Sequence, residues 1–491
     1  MSAIFGIARA DWQARTRSFT FVLVAAFSLQ LAYLFVPDAH ATYVTVAVGG
    51  IRGVYNAPWM GSIIAICTSL IVAFIGFFLV RGSLARDEIA GCASIVAASP
   101  VSRFAFVAGK WASNLAILVV VAVVLAAGGA VMQQVRGENH AFDFASYVAP
   151  LIVMVLPVCA LVAAFAVLFD AIRPLRGVAG GVLWFFIVNG LLTWALIGWT
   201  SGHLAPALDP FGIVPLIGAM SEATHAAFPG VNVNDFSIGG GEVTDHRTFV
   251  WRGMAWTPAI VAARAVWFAA ALAIVALASR AFDRFAGMRS RPRSTWRFPV
   301  ARIVPDVAGL RLLRAELVVL AQDSGFWWTL AAVACGIAGL FVPATGMPTV
   351  LALALLLPLA RYGALGTRDR LTGVDTLIRS APHAVTRTIV ARIVAAGLIG
   401  CVPLAGALVR YPGLAIVPFA SAALSVALGT FTGTARLFEC LYLAVWYFGV
   451  LNHLPFADLP ADALAAPIAL VAIGSATVLL AGAGTRLRAL G

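Results

Sequence analysis

Long apolar runs alternate with short polar connections along almost the whole chain. Twelve runs read as spans: residues 18–36, 57–80, 111–132, 146–169, 178–200, 258–280, 325–342, 348–365, 388–409, 413–434, 438–452 and 465–484. A helix needs roughly 20 apolar residues to cross a bilayer core. Backbone in lipid must satisfy its own hydrogen bonds, so repeated runs of this length predict helices. The expectation is an all-α polytopic membrane protein, with about 12 transmembrane helices in two pseudo-equivalent six-helix halves. The eighth run extends into Arg361 and the eleventh is short.

Some segments do not read as spans. Residues 1–17 set Ile4, Phe5, Ile7 and Trp12 against Arg9, Asp11 and Arg15. That pattern predicts a helix lying on the membrane surface. Residues 281–301 form a basic linker, and 302–324 predict a second surface helix before the seventh span. The domain reading is therefore 1–280, a linker at 281–301, and 302–491. Ala39-His40-Ala41 imitates a cleavage site, but the apolar run before it is longer than a signal-peptide core of about 7–15 residues, so the run reads as a retained span. The longest outer segment, 201–257, begins apolar and proline-broken, as a piece dipping into the membrane would. It continues Gly- and Asn-rich, as a loop or hairpin.

Composition agrees with the membrane class. Of 491 residues, 62% are hydrophobic and 11% charged, with a mean hydropathy of +0.96. A soluble domain carries about 25% charged residues. The net charge of +12 could point to nucleic acid. Its distribution points elsewhere: basic residues cluster in alternate connections, 27 of the 33 on the side of the N-terminus. Lys and Arg bias sets orientation in membranes. The expectation is a multi-pass protein of a bacterial-type cytoplasmic (inner) membrane, with both termini cytoplasmic and no nucleic-acid partner. Six cysteines, five of them inside apolar runs, form no CxxC, and the seven histidines show no ligand spacing. Neither a metal site nor a disulfide frame is expected.

A polar interruption recurs. "ARDEIAGCASIVAASP" (85–100) aligns without gaps to "TRDRLTGVDTLIRSAP" (367–382), with four identities in 16 positions. Arg86, Asp87, Gly91 and Pro100 match Arg368, Asp369, Gly373 and Pro382. The apolar stripe Ile89, Cys92, Ile95 and Val96 repeats as Leu371, Val374, Leu377 and Ile378, the spacing of one helix face. Ten residues after each proline comes a base, Lys110 or Arg392, and Lys110 is the only lysine in the chain. The reading is one amphipathic helix in each half, ended near the proline, then a turn and a snorkelling base.

"SPVSR" (99–103), with Arg103, and "GK" (109–110) resemble the segment between the second and third spans of type-2 ABC exporter permeases. The second copy departs from that habit: Ala391-Arg392 replaces Gly-Lys and Thr386-Arg387 is displaced. The resemblance implies that the two loop helices dock in clefts of ATPase subunits, apolar stripe inward and Arg and Asp at the rim, two copies expected, which would supply ATP and Mg. It also implies that one chain with two halves needs no homodimerisation. The residues themselves agree on one point. A P-loop requires GxxxxGK then Ser or Thr; the single Gly-Lys is followed by Trp111, with Phe104 in place of the first glycine. No catalytic, cofactor or metal residue is expected in this chain, only a transport subunit in contact with membrane lipid.

A major-facilitator-type secondary transporter driven by an ion gradient is the alternative, because "GTRDRLTG" (366–373) approaches its loop motif. Proton coupling usually needs membrane-embedded acids. Asp170 and Glu439 lie at span ends near Arg173 and Arg436, where local pairing is expected. Gln30, Asn114, Asn189 and Thr193 are candidate path-lining groups, with helix-to-helix hydrogen bonding as the other reading. Few charges in the spans suit an apolar or amphipathic substrate.

Overall fold

The computed structural model describes residues 2–17, 19–38, 41, 43–89, 91–203, 208–232, 234–242, 247–283, 310–322, 325–380 and 384–451. The last expected span, the basic linker beyond Asp283, and Pro382 lie outside these. The chain divides into two compact units, Met1–Gly287 and Met288–Gly491. Among the described residues, six helices are long and apolar enough to cross a membrane, and seven if one bent pair counts as a span. The protein is thus a mostly helical, multi-pass membrane protein in class.

Unit one holds five of the six: Ala57–Glu88, Arg103–Arg136, Phe144–Ala171, Val178–Thr200 and Pro258–Ala281. The helix Phe19–Leu34 precedes them. Their starts follow local capping chemistry. Asn56 accepts from the Trp59 amide at 3.0 Å with Pro58 in the first turn, and Ser102 accepts from Ala105 at 3.1 Å. Such caps satisfy amides that the helix itself leaves without partners. Two of these helices carry π turns, Val72–Gly76 and Leu151–Val155. The indole of Trp184 donates to the Ala73 carbonyl within the first of them, at 2.8 Å.

Unit two contains Pro412–Thr432 and the bent pair Arg311–Gln322 with Gly325–Phe341, which meet at 103°. The run expected at 348–365 is the shorter helix Met347–Tyr362. The run expected at 388–409 is broken into Ala384–Cys401 and Ala405–Arg410. Trp446, buried, donates to the Ala352 carbonyl at 2.8 Å, as Trp184 does to Ala73 in unit one.

The segment 201–257 of unit one corrects one expectation. Residues 213–227 form a helix, Ile213–Ala227, as an apolar piece should. The Gly-rich piece does not fold on itself. Strand β3 (Phe236–Glu242) pairs antiparallel with β1 (Tyr43–Val48) from the connection after the first helix, and β2 (Arg52–Gly53) pairs with β4 (Thr248–Phe249). Val44, Val46 and Val48 are buried, so β1 brings the apolar surface that an isolated Gly-rich hairpin would lack. Ala47 and Ser237 are register partners. Cysteines placed at both are expected to cross-link under mild oxidation, since paired strands bring Cα atoms within disulfide reach. Cysteines at Ala47 and Glu88, which the length of the helix Ala57–Glu88 separates, should not; equal cross-linking of the two pairs would contradict the register.

Candidate functional site: a charge clamp built twice

The recurring polar stretch is built from a helix, a glycine turn and a second helix. In unit one Ser83–Ile89 ends at Gly91, whose φ is +73°, and Ala93–Ala98 follows. The Gly91 amide donates to the Glu88 carbonyl at 3.2 Å and Cys92 to Asp87 at 2.9 Å. In unit two Arg368–Thr372 ends at Gly373, φ +72°, before Asp375–Ser380. There Gly373 donates to Arg370 at 3.3 Å and Val374 to Asp369 at 3.0 Å. These are the paired bonds of a Schellman ending, which favours glycine because a side chain in the left-handed region is strained. The single helices expected over 86–100 and 368–382 are therefore each broken at the glycine.

The bases do not snorkel. Lys110 and Arg392 are each only 4% exposed. Lys110 Nζ lies 3.0 Å from Asp11 and 2.9 Å from Asp87. Arg392 Nη2 lies 3.2 Å from Glu316 and 2.8 Å from Asp369. A buried cation is costly unless paired and hydrogen-bonded, and in each unit two carboxylates meet that need. One comes from the loop helix. The other comes from the preceding amphipathic helix, Ser2–Thr16 or Arg311–Gln322. Arg86 stands 3.9 Å from Asp11, and Arg368 pairs with Glu316. Asp87 and Asp369 thus point into the protein and not to a rim.

The first amphipathic helix is therefore fixed to the bundle rather than only to lipid. Ile4 and Ile7 pack on the core formed around Phe106, Val107, Leu161 and Val275. At Gly109 a Cβ would meet Ile7 at 2.8 Å, so the glycine of Gly109-Lys110 is where this helix crosses. Asn114, a candidate path residue, is fully buried and accepts from Arg15 at 2.6 Å. It belongs to the clamp, as does Ser113, which donates to Asp11 at 2.7 Å.

Asp170 and Arg173 do not pair. Asp170 accepts from the Gly82 amide at 2.7 Å and the Ser83 hydroxyl at 3.2 Å, capping the loop helix, while Arg173 pairs with Asp283. Glu88 is held by Arg176 at 2.8 Å. Asn189 and Thr193 share a groove of about 610 Å³ on Val178–Thr200 with Phe186, Trp194 and Ile197; Gln30 lies elsewhere, exposed on Phe19–Leu34.

What the clamp leaves outside is apolar. Ile95 and Leu377, equivalent in the repeat, are 71% and 72% exposed. Leu371 and Val374 are also exposed. Pro100 and Arg103 are exposed beyond the first loop helices, and Ile89 ends the first of them. Among the described residues no group of three or more His, Cys, Asp or Glu could hold a metal ion.

Asp11 and Glu316 escape the gap-free alignment because their separation, 305 residues, differs from the 282 of the repeat. The signal available was one acid on each surface helix. No family model matches the chain, and no curated protein matches it.

Burial pushes the Asp11 carboxyl up, but Arg15, Lys110, Arg86 and the Ser113 hydroxyl outweigh it and hold the group below its usual value of 3.8. A depressed carboxylate stabilises fully above its unfolded pKa, and that contribution is lost as pH falls through the folded value. Hydrogen exchange of residues 2–16 is therefore expected to accelerate as pH falls below about 3.8, after correction for intrinsic rates. An Asp11→Asn variant should lack that acid-dependent step; an identical step in the variant would place the titration elsewhere.

Proposed function

We propose that the chain is the transmembrane subunit of an ATP-driven ABC transporter, an exporter of an apolar or amphipathic substrate. Separate ATPase subunits, holding ATP and Mg, dock on the helix–glycine–helix segments 83–98 and 368–380. One observation carries this reading: in both units the same segment has a charge-clamped base and an exposed apolar tip, Ile95 or Leu377. A tip of that kind needs an apolar cleft to cover it. A base that ties the loop helix and a surface helix to the helix that carries it suits a segment that must carry force inward.

In this reading the chain makes 12 crossings in two six-helix halves, with both termini cytoplasmic in an inner membrane of bacterial type. Two ATPase subunits meet one chain, and no second copy of the chain is required. The absence of a phosphate-cradling motif supports an external energy source. The groove holding Asn189 and Thr193 supplies part of the substrate path.

Ile95→Asp and Leu377→Asp test the docking. Burying an apolar side chain contributes about 1.5–3 kcal/mol, and a carboxylate in its place adds a desolvation penalty. Each single variant is expected to weaken ATPase co-purification by roughly tenfold or more, with normal membrane insertion. The double variant should lose ATP-dependent transport. Normal co-purification and transport in the double variant would make the tips lipid anchors. Transport driven by a proton gradient with no ATPase present would establish a secondary transporter instead.

A further inference from the structure

A second duplicated contact lies at the opposite ends of the helices. Arg136, closing Arg103–Arg136, donates through Nη1 to the Val36 carbonyl and, at 3.4 Å, to Tyr33. Arg410 donates to the carbonyls of Val342 and Leu340 at 2.6 and 2.9 Å. In each unit a cation thus caps the last carbonyls of a neighbouring helix, where the helix dipole favours it.

Both seams below these caps have a close approach at glycine, in unit one at Gly128, where a Cβ would meet Ala32 at 2.6 Å. In unit two Gly336, Gly339 and Gly406 bring the helix backbones so close that none has room for a Cβ. In unit one a groove of about 250 Å³ remains between Phe19–Leu34 and Arg103–Arg136, lined by Leu29, Tyr33, Ala127, Gly128, Val131 and Met132. Leu29, Tyr33 and Val131 are exposed. Arg136 sits one turn beyond Met132, its guanidinium 4.2 Å from the centre of the Tyr33 ring. A guanidinium has five donors, and capping occupies those of Nη1 alone. Among the described residues Arg136 has no carboxylate partner. Glu138, two residues on, is taken by Arg52 at 2.6 Å and by the Tyr55 amide at 2.9 Å.

We propose that this groove is a binding site for one anionic phospholipid, with an acyl chain along Ala127, Gly128 and Val131 and the headgroup phosphate on Arg136. Arg136 stands where both helices end, the level a headgroup takes beside helices that cross a bilayer. The chemistry is complementary: an apolar slot open to lipid leads to a cation whose remaining donors suit phosphate oxygens. This site is independent of the proposed transport function.

The full-length chain, purified and stripped of lipid by detergent exchange, is titrated with phosphatidylglycerol or phosphatidylcholine of identical chains and read by native mass spectrometry. One retained phosphatidylglycerol per chain is expected, with phosphatidylcholine weaker by about tenfold, because its choline cation offsets the charge of the same phosphate and is repelled by Arg136. Ala127→Trp, which fills the groove from its exposed side, and Arg136→Gln should each cut phosphatidylglycerol retention to the same degree. Val266→Trp, on the exposed face of Pro258–Ala281, should leave it unchanged. Should Arg136→Gln fail to fold for want of its cap, Ala127→Trp leaves the cap in place and decides the matter. Equal retention of the two lipids, or wild-type retention in Ala127→Trp, would overturn the proposal.

Discussion

A cation buried in a membrane protein cannot stand alone, and that constraint organises each unit of this chain. Lys110 lies between Asp11 and Asp87, and Arg392 between Glu316 and Asp369. Each triad takes one residue from an amphipathic helix, one from a loop helix and one from a long helix. Loss of the base would take from Asp87 or Asp369 its ion-pair partner, and breaking a buried pair in this way costs about 3–5 kcal/mol. A well-packed apolar replacement of the whole cluster would often be as stable. The cluster is therefore better understood as fixing position than as adding stability, and what it positions is the loop segment.

Around this shared frame the units differ. In unit one further described residues tie the loop segment. Arg15, Ser113 and Asn114 extend the clamp, Arg176 holds Glu88, and Asp170 caps the helix start. In unit two Leu320, Ala395 and Ala396 stand at the places of Arg15, Ser113 and Asn114, and Arg370 at that of Glu88. The β1–β3 pairing adds a further tie on the far side of unit one, between segments almost 200 residues apart.

The sequence could be read where one local rule decides the outcome. Val178–Thr200 and Pro258–Ala281 fall on the runs expected at 178–200 and 258–280 because uninterrupted apolar character suffices there. The pairing of 86–100 with 368–382 was also visible, since its residues recur at a fixed offset. The turn at Gly91 was not, because a glycine inside an amphipathic pattern reads as helix until its φ is seen. The burial of Lys110 and Asn114 was hidden for a different reason: their partners lie on Ser2–Thr16, about 100 residues away. Long-range charge pairing leaves no periodic trace, and strand pairing through a six-residue β1 leaves hardly more.

The most direct measurement of the clamp is a double-mutant cycle of Lys110→Met and Asp87→Asn, read as exchange protection of the backbone amides of residues 2–16. If Lys110 joins the loop helix and the first helix in one cluster, the single variants should each lower protection and the pair should lose less than their sum. The coupling expected for contacting charges is about 0.5–3 kcal/mol. Strictly additive losses, or a Lys110→Met variant whose first helix stays as protected as in the native chain, would contradict it.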